Sequence, residues 1–352
     1  MNIPENTHSL VREYYGQTLQ SSADLKTSAC CGVALPDYVS RYLPLILPEV
    51  NERFFGCGSP LPPGLRGCRI LDLGCGVGRD SYLAAKLAGA QGSVVAVDMT
   101  AEQLQAARSC HKAQMAALGA DTAPVDFRQG LIEDLRSCGL EGESVDVVIS
   151  NCVVNLCPDK ERVFREIWRV LKPGGELYFA DVFADRRLPE EARRDPVLVG
   201  ECLGGALYVE DFRRLLAQAG FAAWYGVERT VLRVHDPALR AKVEAVNFVS
   251  MTARACKLPL EDREEDYGQT ARYLGSLAEC PQGFVFSGEL YLPAGEAVRV
   301  SGNQAAVLSG SRWAPHFAVT APGPHEGLWQ PAPPRADPDK NPAASASACC
   351  CG

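Results

Sequence analysis

Cys57, Cys152 and Cys202 are thiols set among glycine or other small residues, where a reactive group can be presented to a ligand. Cys57 lies in Phe54-Phe55-Gly56-Cys57-Gly58. Cys152 follows Asn151 at the end of an apolar run, and Cys202 lies in Gly200-Glu201-Cys202-Leu203-Gly204-Gly205-Ala206. Cys30 sits in a polar, small-residue stretch over 21–32. Thiolates are nucleophiles and soft-metal ligands, so these four positions are the candidates for chemistry. Free cysteine is also among the most buried residue types. Cys68, Cys110, Cys138 and Cys256 stand in or beside ordinary helix and strand patterns, and these four with Cys280 read as core filler. The five histidines never fall four apart and no C-x-x-C pair occurs, which argues against a local zinc knuckle.

A second constellation explains why Cys152 and Cys202 stand out. Asp72-Leu73-Gly74-Cys75-Gly76-Val77-Gly78 joins an apolar strand to a helix start, and Asp98 closes the next strand twenty residues past Gly78. Glycines there let a backbone approach an adenosine cofactor, and a carboxylate at the following strand end accepts ribose hydroxyls. A nicotinamide dinucleotide turn would need glycine at position 79, where Arg79 stands. An acid ahead of the first glycine suits the charged amino group of S-adenosylmethionine instead. Glu133 is the expected adenine contact. Arg79, Met99, Gln103, Ile132 and Asn151, beside these positions along the chain, complete the expected cofactor set. Where amino-group methyltransferases carry a proline-aromatic turn, this chain has Cys152. A sulfonium nearby would pull a thiol of ordinary pKa ~8.5 toward thiolate. No catalytic base is supplied, which points to a nucleophile that owns a lone pair and is held by sulfur.

The elements that must position these groups follow from periodicity. Strands are expected over 69–73, 93–98, 125–129, 145–150 and 176–183, with helices over 79–87, 100–118 and 159–171 between them. Strands alternating with helices imply a doubly wound, mostly parallel α/β sheet of Rossmann type, with its ligand outside the carboxyl ends of the strands. Four regions are expected: a lead-in over 1–65 with helical patterns at 8–20 and 36–55, a cofactor domain over 66–225, a small α+β appendage over 226–320, and a disordered proline- and cysteine-rich tail over 321–352.

The chain has 352 residues, 47% of them hydrophobic and 22% charged, the composition of an ordinary soluble protein. The net charge of −8 argues against a nucleic-acid partner. No signal-type segment or membrane-length apolar run is present, so a cytoplasmic protein with reduced thiols is expected.

Tyr14-Tyr15-Gly16-Gln17, Ser22-Ala23-Asp24-Leu25, Phe54-Phe55-Gly56-Cys57-Gly58, Ile70-Leu71-Asp72-Leu73-Gly74, Ser150-Asn151-Cys152-Val153-Val154-Asn155-Leu156 and Gly200-Glu201-Cys202-Leu203-Gly204-Gly205-Ala206-Leu207-Tyr208 closely resemble the arsenite methyltransferase family, over about residues 10 to 320. The resemblance implies a class I S-adenosylmethionine enzyme. It implies a trivalent arsenic site formed by Cys152 and Cys202 and joined by Cys57, with Cys30 in thiol–disulfide steps. It also implies a thiol reductant, thioredoxin or glutathione, for turnover, and a monomer is expected. Cys31 and Cys349-Cys350-Cys351 are outside that set. Two other readings compete: a methyltransferase for carbon or oxygen of a quinone or sterol, in which the cysteines are dispensable, and a non-enzymatic thiol buffer for metalloids.

Overall fold

The computed structural model describes residues 7–14 and 35–331. Cys30, Cys31, Cys349, Cys350 and Cys351 lie outside these residues. β1 (Arg69–Leu73), β2 (Ser93–Asp98), β3 (Val125–Gln129), β4 (Val145–Asn151) and β5 (Leu171–Ala184) are parallel neighbours in the order β3-β2-β1-β4-β5. The runs of Val, Ile and Leu in β1, β2 and β4 suit strands covered on both faces, while the edge strand β3 buries only Val125 and Phe127. The chain winds outward from β1 to β3 and returns to β4, so the crevice between the carboxyl ends of β1 and β4 is the switch point where ligands bind.

The flanking helices form where an apolar stripe recurs at helical spacing. The helix Lys160–Val170 starts at Asp159, whose side chain accepts from the backbone N–H of Arg162 at 3.0 Å. It buries Val163, Phe164, Ile167 and Val170 on one face. Phe164 packs against Phe179 of β5 and against Phe212, with ring centroids 6.2 and 5.7 Å apart. Each such buried side chain contributes about 1.5–3 kcal/mol.

The sheet does not stop at residue 225. After the two-residue β6 (Leu207–Tyr208), which pairs with the end of β5, come β7 (Tyr225–Leu232) and β8 (Phe248–Cys256). β8 runs antiparallel to β5 over nine registered pairs, from Glu176↔Cys256 to Ala184↔Phe248, and β7 runs antiparallel to β8. Strands assigned by sequence to the appendage therefore close the edge of the cofactor sheet. A helix, Val209–Ala219, does precede β7, but β7 and β8 then run antiparallel, a direction that the alternation of strands and helices does not announce.

Two other expectations differ from the structure. The single helical pattern over 36–55 is broken into Asp37–Ser40, a 3-10 turn Leu43–Leu45, and Pro48–Asn51. Pro44 and Pro48 lack an N–H and cannot continue a helix. Residues 321–331 of the expected disordered tail are ordered: Gly327–Leu328 pairs with Glu265–Asp266, the Trp329 N–H donates to the Glu264 carbonyl, and Arg299 pairs with Glu326. Backbone pairing holds this stretch where apolar burial would not.

The remaining C-terminal part packs short strands and the helix Gly302–Gly310 around Trp313, Tyr273, Phe284 and Phe286. It is tied to the sheet by buried charge. Glu176 of β5 accepts from Arg254 of β8 at 2.6 Å on one oxygen and from Arg312 at 2.5 and 2.8 Å on the other. Arg312 also donates to the carbonyls of Pro63 and Gly64, ahead of β1.

Candidate active site

The carboxyl ends of β1, β2 and β4 open into a cavity at the switch point of the sheet, where ligands of such folds bind. Asp72, Gly74, Gly76, Arg79, Asp98, Met99, Gln103, Ile132, Glu133 and Asn151 all line it, together with Asp80 and Cys152. Gly78 is the exception among the expected cofactor residues. It caps the helix Arg79–Ala88 in the left-handed region (φ 92°) and lies off the cavity wall. Gly74 (φ 70°) makes the turn possible, because a Cβ there would meet the Val153 side chain at 2.1 Å.

Three carboxylates are buried here. Burial pushes the Asp72 carboxyl up to about 8, with Asp80 and Asp98 adding to the rise, although the Ser81 hydroxyl donates to it. Burial also raises Asp80, against the pull of Arg79 and the Asn151 amide. Asp98 is raised by burial too, although it accepts the backbone N–H groups of Gly76 and Thr100, both at 2.8 Å. Buried acids stabilise a cation brought among them, since neither partner then has to rely on water. The Nε of Arg79 is buried with no hydrogen-bond partner, and its guanidinium lies 3.7 Å over the Phe54 ring. A ligand that is cationic at one end and offers acceptors at the other fits these groups, as S-adenosylmethionine does.

The three cysteines meet at Cys152, the one of them that lines this cavity. Cys57 and Cys152 are joined in a disulfide, with Cα atoms 6.0 Å apart across 95 residues of sequence. The Sγ of Cys202 donates to the carbonyl oxygen of Cys152 at 3.2 Å. All three are almost fully buried. Among the described residues only three non-glycine residues have positive φ, and two are Cys152 (58°) and Cys202 (61°). Such backbone costs on the order of 1–3 kcal/mol and persists where surrounding structure holds it, often at functional sites.

That structure can be named. The Cys152 N–H donates to Ala180 of β5. The Cys57 carbonyl accepts from Ser250 of β8 at 2.7 Å, so the strand that sequence placed in another domain supports a thiol of the site. Asn151 is the hub. Its Oδ1 accepts the N–H groups of Cys57 (2.9 Å) and Gly58 (3.3 Å), while its Nδ2 donates to the Gly58 carbonyl and to Asp80. A Cβ at Gly56 would sit 2.4 Å from that amide nitrogen. Behind Cys202, Asn155 donates to the carbonyls of Val182 (2.6 Å) and Cys202 (3.4 Å).

The geometry has counterparts. A family model described as a methyltransferase domain matches residues 65–220, and one described as an arsenite methyltransferase C-terminal domain matches residues 268–351. An arsenite methyltransferase of Aquipseudomonas alcaligenes is 46% identical over 98% of this chain and 100% of its own length. The chain belongs to the arsenite methyltransferase family. The human arsenite methyltransferase is 39% identical over 88% of this chain and 82% of its own. The crystal structure of an arsenic(III) S-adenosylmethionine methyltransferase from Chlamydomonas reinhardtii superposes with a TM-score of 0.80 at 44% identity, covering 84% of this chain and all of that one. The fold is that of class I S-adenosylmethionine methyltransferases.

Within this family framework, several residues that sequence reasoning passed over line the cavity. Asp80 follows Arg79 directly, and its place in the turn was a usable signal. Cys157 lies five residues past Cys152 but was not singled out, and His8 comes from the separate helix Thr7–Glu13. The inert assignment given to Cys138 and Cys256 matches their burial, which raises both thiols. Among the described residues no helix is long and apolar enough to cross a membrane.

Proposed function

We propose that the chain transfers a methyl group from S-adenosylmethionine to trivalent arsenic held by the thiolates of Cys57, Cys152 and Cys202, yielding methylated arsenicals in a cytoplasmic detoxification role. The observation that carries this reading is the convergence of three buried cysteines, distant in sequence, on Cys152, which lines the same cavity as Asp72, Gly76 and Asp98. Trivalent arsenic is soft, and thiolates are its natural ligands. The organic-acceptor alternative gives these thiols no reason to meet.

When bound, the cofactor supplies an electrophilic methyl on a positively charged sulfur. The chain's own groups do the rest. Asp72, Asp80 and Asp98 provide the negative charge that a cationic donor requires, and Arg79 offers its unpaired Nε to an acceptor. Asn151 holds the Cys57 loop and Asp80 on one amide, so donor site and thiol site share a support. Positioning of this kind can supply about 7–11 kcal/mol of a transfer barrier.

The thiols also carry the electrons. A reductant such as thioredoxin or glutathione delivers two electrons and two protons to the Cys57–Cys152 bond and frees both thiols. Arsenite then exchanges three hydroxyls for three thiolates and releases three waters. Methylation raises arsenic by two oxidation units, and two thiolates return those electrons by coupling to a disulfide. Two waters then replace the third thiolate on arsenic, one proton going to that sulfur and one to solvent as the trivalent product leaves. The Cys57–Cys152 bond is the form such a step leaves behind. Cys30 is proposed to exchange with this pair.

Incubating the full chain with arsenite, S-adenosylmethionine and a thiol reductant should produce methylated arsenicals and S-adenosylhomocysteine in step. Formation of neither product, with arsenite bound, would overturn the reading.

A further inference from the structure

The helix Thr7–Glu13 brings His8 to the cofactor edge, where its Nε2 lies 2.8 Å from Oε1 of Glu133. The Sγ of Cys157 completes a trio whose donor atoms all lie within 4.8 Å of one another. Glu133 and Cys157 are buried and His8 is half-buried. The Cys157 backbone is fixed from behind, because the buried Lys160 Nζ donates to its carbonyl at 2.8 Å. None of the steps assigned to arsenic uses Cys157 or His8.

We propose that His8, Glu133 and Cys157 form a binding site for a borderline divalent cation of the Zn²⁺ class. The donors are one imidazole nitrogen, one carboxylate oxygen and one sulfur, which is the mixture such ions take and which Mg²⁺ and Ca²⁺ do not. Three protein ligands leave a fourth tetrahedral position open to water. The 2.8 Å His8–Glu133 hydrogen bond has to open by only about 0.5 Å to the edge of a tetrahedral site, giving up its proton, while the Cys157 side chain closes up. On binding, the Cys157 thiol releases its proton to solvent and its sulfur donates the freed pair to the metal. One thiolate and one carboxylate then neutralise the dication inside the protein.

A single glutamate links this site to the cofactor cavity. Glu133 and His8 both line it, so a bound cation clamps the N-terminal helix against the donor site and contests Glu133 with the donor. That consequence rests on the donor reading above; the cation site itself does not.

The test is a Co²⁺ titration of the full-length, reduced chain without arsenite, followed by the visible tetrahedral bands and the thiolate-to-metal charge-transfer band. Because other cysteines also bind Co²⁺, the readout is the difference between the parent and His8→Gln. The parent should bind one further Co²⁺, or bind its tightest Co²⁺ at least tenfold more strongly. Cys157→Ala should lose the same increment together with one thiolate's share of the charge-transfer intensity. A far-UV circular dichroism spectrum and a cooperative thermal unfolding transition like those of the parent establish that both variants are folded. Superimposable titrations and spectra for parent and both variants would overturn the proposal. Arsenite methylation assayed with a chelator present reports on the arsenic site separately.

Discussion

Asn151 accepts the backbone N–H of Cys57 at 2.9 Å across 94 residues of sequence, and the same side chain donates to Asp80 at 2.7 Å. One amide thus fixes a thiol of the arsenic site and a carboxylate of the cofactor cavity together. Asn151→Ala should strand the Cys57 and Gly58 N–H groups, costing about 1–3 kcal/mol of stability. It should also lower kcat for arsenite methylation by on the order of 100-fold, the penalty for misplacing a reacting group by about 1 Å. Steady-state kinetics and thermal unfolding check this. A variant that loses only stability would show the amide to be scaffolding alone.

Cys152→Ser and Cys202→Ser should each abolish detectable arsenite methylation while leaving S-adenosylhomocysteine binding within a few-fold of the parent. Serine fills nearly the same space but its oxygen is a hard, weak ligand for arsenic. Calorimetry for the cofactor product and arsenic speciation for turnover separate the two effects.

Cofactor affinity should depend on pH through Asp72. Burial raises its folded pKa to about 8, above the ordinary carboxylate value. The folded chain therefore holds a proton that the unfolded chain has lost. The stability this gives is fully present below the ordinary carboxylate pKa and is lost as pH rises through about 8. A cationic donor wants the ionised form, so its affinity should rise toward pH ~8 by at most about tenfold per pH unit. Asp72→Asn should flatten that dependence. Dissociation constants measured between about pH 6 and 9 decide it, and an unchanged slope in the variant would assign it elsewhere.

The Glu176 carboxylate lies between two guanidinium groups, with Arg254 and Glu176 both fully buried. Glu176→Ala leaves those charges unpaired in the interior and should cost about 3–5 kcal/mol, read as a large drop in melting temperature. An effect under about 1 kcal/mol would mean that the C-terminal part is held by its aromatic core instead.

The alternation of β1 to β5 with helices was legible because each segment has its own period and its own Gly or Pro stops. Cys57, Cys152 and Cys202 were legible as loop thiols, and the structure gathers them. What could not be read was what lies across the sheet from them. Ser250 supports Cys57 from β8, an antiparallel strand, and its register against β5 pairs residues 64 to 80 apart in sequence. The Asn151 amide looked like a cofactor contact by position. Its hydrogen bonds to Cys57 and Gly58 depend on the fold bringing residue 57 to the end of β4. His8, Glu133 and Cys157 come from three separate elements, and no spacing rule joins them.

The decisive measurement is arsenic K-edge X-ray absorption on the reduced chain with one equivalent of arsenite. Three As–S contacts are expected in the parent. One of them should be lost in each of Cys57→Ser, Cys152→Ser and Cys202→Ser, and none when Cys349, Cys350 and Cys351 are replaced together. Coordination that survives the first three changes and disappears with the terminal cysteines would contradict the account.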